Sequence, residues 1–369
     1  MIYLTRYATS FTKDTTLISD IPYPQHAHLM DDTYRRAKTG LSYPPHKMAN
    51  TVLDLSIIAY VKDNPVPGKT AFILAAGSQS WAGRTDRYDH DPDTSLYYRC
   101  KIPFLTLTNI YAGRIASMFG GVDHISTDAT ACASSLKVMM DVQNLMNNFG
   151  FDRVIVLSVE DSVCNTTLEF FGEAGASLQY KDEDDTRPSA FDSVNRGFFI
   201  GQGAVLAVFE HEYQDMAEPV AKLLGAYTAA EDNANPLGQR DDGAGYSAAI
   251  EGALFIAKID KDVVKLVKTH GTGTPVNNVA ERAALQRSLN EFIATSYKQC
   301  IGHTLASSGL LETCILLEDM DNNIIPAIPN RTEDDDVFLS ADSFVPDGPF
   351  LSLAAGMGNV YSAALFARA

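Results

Sequence analysis

The run at 133–149 constrains this chain more than any other stretch of it. Its apolar residues Leu136, Met139, Met140, Val142, Leu145, Met146 and Phe149 spread over more than one face at helical spacing, so a helix here has no side to give to water. Such a helix must be covered from opposite sides. Gly150 follows as a C′ residue and leads straight into a strand-like run at 153–159, the pattern of a right-handed βαβ unit. Further strand-like runs at 70–74, 205–209, 263–267 and 350–353 alternate with helix-period runs at 279–294 and 307–321, which predicts an α/β fold.

With 369 residues, 46% hydrophobic and 20% charged, the chain can build a substantial core. The net charge of −17 argues against a nucleic-acid or anionic-membrane surface. No apolar run approaches the roughly 18 residues of a spanning helix, and the opening MIYLTRYATSF is interrupted by Arg6 and lacks a cleavage site. Five cysteines without a CxxC pair fit neither a disulfide framework nor a thiolate zinc site, so reduced thiols and a cytoplasmic location are expected. The polar segments at 181–192, 231–245 and 333–336 read as solvated surface loops, and the charged stretch at 212–218 as a halfway boundary.

Three segments put reactive groups beside small residues at element ends. In STDATACASSLKVMM, Cys132 stands between an extended segment and the start of the buried helix, where unpaired N–H groups and the positive helix end favour a thiolate. Taken alone, Cys132 reads equally as a small buried core residue. In VKTHGTGTP a buried strand runs into His270, and the glycines of the following turn let a ligand approach the backbone. Neither GxxxxGK[ST] nor GxGxxG is present there. In YKQCIGHTLASSG, Lys298 and His303 precede another helix start; Cys300 and His303 have half a metal-site spacing, but no second pair lies nearby and no metal is expected. GSQSWAG, with Ser78 and Ser80, lacks the G-x-S-x-G spacing of a hydrolase and reads as a turn.

Taken together, TACASS, THGTGTP and KQCIGH in this order resemble the β-ketoacyl synthase family of the thiolase superfamily. RPSAFDSVNRGFFIGQGAVLAVFE resembles that family's RPFD, RxGF and GEGA stretch, and AAGMGNVYSAALF its GFGG gating turn. The resemblance covers the chain from about Lys69 onward; the first ~65 residues carry no motif that can be aligned. It implies a five-layer αβαβα thiolase-like fold of two pseudo-symmetric halves, 1–215 with the cysteine and 216–369 with the histidines. It also implies roles. Cys132 would accept an acyl group from a carrier-protein phosphopantetheine thioester, and His270 and His303 would bind the malonyl thioester carbonyl through decarboxylation and condensation. The N–H groups of Cys132 and Met357 would hold the oxyanion, Lys298 would orient His303 with Glu281 as its paired acid, and Thr272 and Thr274 would contact pantetheine. The implied partners are an acyl carrier protein and a homodimer or heterodimer mate that is itself ketosynthase-like; no other cofactor, nucleic acid or membrane is implied.

The sequence departs from the family pattern at Gln202, Asn278, Cys300, Met357, Asn359 and Tyr361, all at positions around the pocket, gate and dimer region. Two alternatives stand beside condensation: an acyltransferase that uses Cys132 without decarboxylation, and a non-catalytic chain-length-type partner, in which the cysteine would be expected to be missing.

Overall fold

The computed structural model describes residues 1–14, 16–18, 22, 25–28, 52, 55–77, 108–161, 163–179, 187–192, 197–212, 218–332 and 337–369. Ser78, Ser80, the acidic run at 333–336, residues 181–186 of the 181–192 loop and residues 213–217 of the 212–218 boundary lie outside the described residues. The first part of the chain forms β1 (Ile2–Ser10), β2 (Thr16–Ile18), β3 (Gln25–His28), α1 (Leu55–Asp63), β4 (Lys69–Ala76), α2 (Thr108–Ala116), β5 (His124–Asp128), α3 (Ser134–Asn148), β6 (Phe151–Glu160), α4 (Asn165–Glu173), β7 (Ile200–Gly201) and β8 (Gly203–His211). The rest forms β9 (Ala221–Ala230), α5 (Ala244–Ala257), β10 (Leu266–Lys268), α6 (Pro275–Ser288), β11 (Ile293–Thr295), α7 (Ser308–Asp321), β12 (Phe350–Gly356) and β13 (Val360–Arg368).

Ten strands hydrogen-bond in the order β11-β10-β12-β13-β9-β1-β8-β6-β4-β5. Read outward from the middle, the two ends repeat one topology. β1 pairs antiparallel with β8, β8 antiparallel with β6, and β6 and β5 flank β4 in parallel. β9, β13, β12, β10 and β11 follow the same senses in the same sequence. Among the described residues the five-strand sets join where β1 meets β9, from Ile2 opposite Leu223 to Leu4 opposite Ala221.

Helices α3 and α7 lie against each other between the two sets. α3 touches β4 and β6 on one side and β9, β12 and β13 on the other; α7 touches β1 and β8, then β10 and β12. This is why 133–149 is apolar on several faces: Leu136, Val138, Met139 and Val142 share one core with Ile73 and Val156 of the first set and Phe350 and Phe366 of the second. A second core lies under α1 and α2 and a third under α5 and α6, completing the five layers. No described helix is long and apolar enough to cross a membrane.

Two predicted elements are shifted. Instead of a strand over 263–267, a 3₁₀ turn occupies Lys261–Val263, capped by the Asp260 carboxylate on the Asp262 N–H, and β10 starts at Leu266. The helix predicted over 279–294 starts at Pro275, whose missing N–H suits a first turn, and ends at Ser288, because Ile293 and Ala294 are taken by β11 beside β10.

Candidate active site

The strand-to-helix step occurs twice. After β5 comes Thr130-Ala131-Cys132-Ala133-Ser134, with Ala131 at φ 47°; after β11 and a one-turn helix comes Thr304-Leu305-Ala306-Ser307-Ser308, with Leu305 at φ 44°. Left-handed backbone at a non-glycine residue is strained and persists only where its surroundings hold it. Here the Asp128 carboxylate accepts from the Thr130 N–H at 3.1 Å and its hydroxyl at 2.6 Å, and the Ser134 hydroxyl donates back to the Ala131 carbonyl at 2.7 Å. The turn thus presents Cys132 just ahead of α3, where the second half carries only Ala306. The nucleophile candidate is unique to the first half.

Cys132 is 6% exposed. Burial pushes its thiol up to about 12, the Lys298 ammonium pulling down and the Glu160 carboxylate pushing further up. The helix end was expected to favour the thiolate and lower the thiol's pKa. Desolvation outweighs it, so the resting group is the thiol.

β10 delivers the first histidine. The Glu281 carboxylate on α6 accepts the His270 N–H at 2.6 Å, the Gly271 N–H at 2.9 Å and the Asn277 side-chain amide at 2.9 Å, fixing the loop after the strand. His303 is held by its backbone: its N–H donates to the Phe199 carbonyl at 2.7 Å and its carbonyl accepts from the Gly201 N–H at 3.0 Å. The two rings meet edge to face with centroids 5.6 Å apart, and the Phe198 ring lies edge-on to His303 at 4.9 Å. Neither Nδ1 has a hydrogen-bond partner among the described residues. Burial holds both imidazoles well below their usual range, with Lys298 and Lys268 adding to the effect, so both are neutral at pH 7.

The acid paired with Lys298 is Glu312, not Glu281. The Lys298 ammonium reaches Glu312 of α7 at 2.8 and 3.1 Å, and Lys268 reaches the same carboxylate at 3.2 Å, all three side chains fully buried. Glu281 already satisfies three donors of the His270 loop, and it pins that loop instead. Sequence reasoning missed Glu312 because it stands 14 residues beyond Lys298 in an apolar helix, with no local signal to link them. Phe198 was legible only as part of RGFF, with no ring partner in view.

Cys132, His270, His303, Thr272, Thr274 and Met357 line a single cavity of about 240 Å³, walled further by Phe170, Phe171 and Phe198. The Thr272 and Thr274 hydroxyls are 3.0 Å apart. Between them Gly273 sits at φ +73°, and an added Cβ would fall 2.3 Å from the Ser189 carbonyl. Met357 begins the β12–β13 hairpin turn, which Gly356 presses against the cysteine turn: a Cβ there would lie 2.5 Å from the Thr130 carbonyl. The 231–245 segment is more than a solvated loop. Its Glu231 carboxylate is buried against the Arg240 and Gly245 N–H groups and the Tyr361 hydroxyl, and Pro236 to Gln239 form the cavity rim. The Gly358 N–H donates to the Pro236 carbonyl at 2.8 Å and the Asn359 amide to the Asn233 carbonyl at 2.6 Å, tying the turn to that rim.

So six of the predicted residues share one cavity, with Lys298 and Glu281 buried behind the histidines. The family description "Beta-ketoacyl synthase, N-terminal domain" matches residues 59–215 and "Beta-ketoacyl synthase, C-terminal domain" residues 220–332. A 3-oxoacyl-[acyl-carrier-protein] synthase 2 of Vibrio harveyi is 28% identical over 61% of this chain; the match spans 56% of that protein, a little over half its length. Among solved structures, a type II polyketide acyl-carrier protein in complex with its ketosynthase bound to the hexaketide aligns at a TM-score of 0.79, with 16% identity over 100% of this chain and 99% of the other. A ketosynthase in complex with its chain length factor from Xenorhabdus doucetiae aligns at 0.77, with 17% identity over 100% and 98%. At such identities these structures speak for the fold, which is the thiolase-like fold of ketosynthases. The two domain matches together span most of the sequence, and the chain belongs to the β-ketoacyl synthase family.

Proposed function

We propose that this protein is a condensing enzyme of fatty-acid-like or polyketide synthesis, joining a Cys132-bound acyl group to a malonyl unit presented by an acyl carrier protein. The observation that carries the reading is a buried thiol sharing one cavity with two neutral imidazoles backed by buried ammonium groups. In the first half-reaction the Cys132 sulfur attacks the acyl thioester carbonyl; the new S–C bond forms, the carrier thiol leaves, and the cysteine proton passes to the departing thiolate. The N–H groups of Cys132 and Met357 hold the intermediate oxyanion. Because the thiol rests protonated, that proton transfer belongs to loading itself.

In the second half-reaction the malonyl C–C bond breaks and carbon dioxide leaves, with the electron pair retained as an enolate. A neutral imidazole still has one N–H to give, and two of them aimed at the enolate oxygen stabilise the charge as it develops. The enolate carbon then attacks the acyl-Cys carbonyl and Cys132 leaves as thiolate, which takes up one proton from solvent to regain the resting thiol. Thr272 and Thr274 bind the pantetheine arm that brings in each unit, and the protein carries no cofactor of its own. The solved complexes of ketosynthases with an acyl-carrier protein and with a chain length factor support a carrier partner and a ketosynthase-like dimer mate for this chain as well.

The test is carbon dioxide release from malonyl carrier protein. Wild-type protein should release it, and His270→Ala and His303→Ala, if folded, should lose it by orders of magnitude. Acyl transfer onto Cys132 without any release would establish the non-decarboxylating acyltransferase instead.

A further inference from the structure

Tyr246 stands in the first turn of α5, fully buried, and no step of the reaction above uses it. Its hydroxyl donates to Asn277 Oδ1 on α6 at 2.7 Å, and Asn277 Nδ2 donates to Glu281 Oε2 at 2.9 Å. The same carboxylate accepts the Gly271 N–H at 2.9 Å and the His270 N–H at 2.6 Å. An unbroken chain of hydrogen bonds therefore runs from α5 to the backbone of the His270 turn. The direction of each link is forced. Glu281 faces three N–H donors and accepts from all of them, so Asn277 must turn its NH₂ toward the carboxylate, which leaves Oδ1 pointing at α5 and in need of a donor. The Tyr246 phenol is that donor, and burial raises it well above its usual range, so it keeps its proton. Packing alone does not call for the hydroxyl. The ring meets Tyr361 edge to face at 4.8 Å, a contact that phenylalanine would make equally well.

We propose that Tyr246 is a positioning residue of this site: its hydroxyl fixes the Asn277 amide, Asn277 steadies the Glu281 carboxylate, and Glu281 holds the turn that carries His270. His303 is held separately, by the Phe199 carbonyl and the Gly201 N–H, so Tyr246 acts on one of the two histidines. The use made of His270 rests on the condensing reading; the hydrogen-bond chain is a property of the free protein.

Amide hydrogen exchange read by mass spectrometry tests the chain without substrate. In Tyr246→Phe the peptide carrying the His270 and Gly271 amides should exchange about tenfold faster, while the peptide carrying the His303 amide keeps its wild-type rate. Asn277→Ala should produce the same acceleration, and adding Tyr246→Phe to it should change nothing further, because Tyr246 acts through Asn277. Unchanged exchange at the His270 turn overturns the proposal, and so does equal acceleration at both histidines, which would mark a general loosening. Additive effects overturn it too, since they would route the influence of Tyr246 elsewhere, such as through the Gln239 side chain that also hydrogen-bonds its oxygen. Should Tyr246→Phe not fold, Tyr246→4-fluorophenylalanine fills the volume of the hydroxyl without donating and carries the same expectations. With malonyl carrier protein, the ratio of carbon dioxide release to Cys132 loading should fall about tenfold in Tyr246→Phe. If the exchange results hold in a protein that releases no carbon dioxide at all, the condensing reading fails and the assignment of Tyr246 stands; if wild-type protein releases it and the His270 turn exchanges alike in both proteins, the assignment fails and the reading stands.

Discussion

Replacing Gly356 by alanine adds one methyl group where two backbones touch. The new Cβ lies 2.5 Å from the Thr130 carbonyl oxygen and 3.2 Å from the Ala133 nitrogen, on either side of Cys132. The first distance is about 1 Å short of ordinary non-bonded contact. Both neighbours are main chain, in a turn already strained at Ala131 and held by Asp128, so no flexible side chain can swing away. Either the cysteine turn or the Met357 turn must move by something near that distance. Overpacking of this kind costs about 1–3 kcal/mol of stability, and a reactive group displaced by about 1 Å loses on the order of 10²-fold in rate. Acyl loading followed by intact mass, together with the thermal midpoint, measures both effects. Loading within twofold of wild type at an unchanged midpoint would refute the claim that this contact sets the position of Cys132.

With the Cys132 thiol pushed up to about 12, its alkylation by iodoacetamide should rise about tenfold per pH unit from pH 7 to 10 without levelling off; a plateau near pH 7 would show that a resting thiolate exists after all. Glu281→Gln keeps the shape but puts an amide against three donors, so it should lower stability by roughly 1.5–3 kcal/mol in chemical unfolding and slow carbon dioxide release through the loosened His270 loop. Met357→Phe should narrow the range of acyl chains accepted from a panel of acyl carrier proteins, because a ring beside Phe171 and Phe198 yields less than a thioether. An unchanged preference profile would assign selectivity to another wall.

What could be read from the sequence was what is local. The buried helix, the cysteine at its start and the two histidine turns each leave a mark within a dozen residues, and the structure brings them to one cavity. β1 left none: MIYLTRYATSF reads as a mixed apolar segment, yet it pairs with β8 some 200 residues away and is the strand through which the two sheets meet. The same limit hid the electrostatics. Lys298 was found by its motif, whereas Glu312 and Lys268 meet it only after α7 and β10 have packed, and the wrong acid was chosen because Glu281 lies in a recognisable turn. The thiol's protonation state failed for a related reason. A helix start is visible in sequence, but the desolvation that outweighs it comes from Phe171, Phe198, Leu305 and the rest of a pocket assembled from distant segments.

The most direct test of the account is the site of acylation. Incubation with acyl carrier protein charged with a short acyl chain, followed by intact mass and peptide mapping, should show one acyl group per chain, on Cys132, and none on the Cys132→Ala protein. An acyl group on Cys164, Cys300 or Cys314 with Cys132 unmodified, or no adduct on a folded protein across a range of chain lengths, would contradict it.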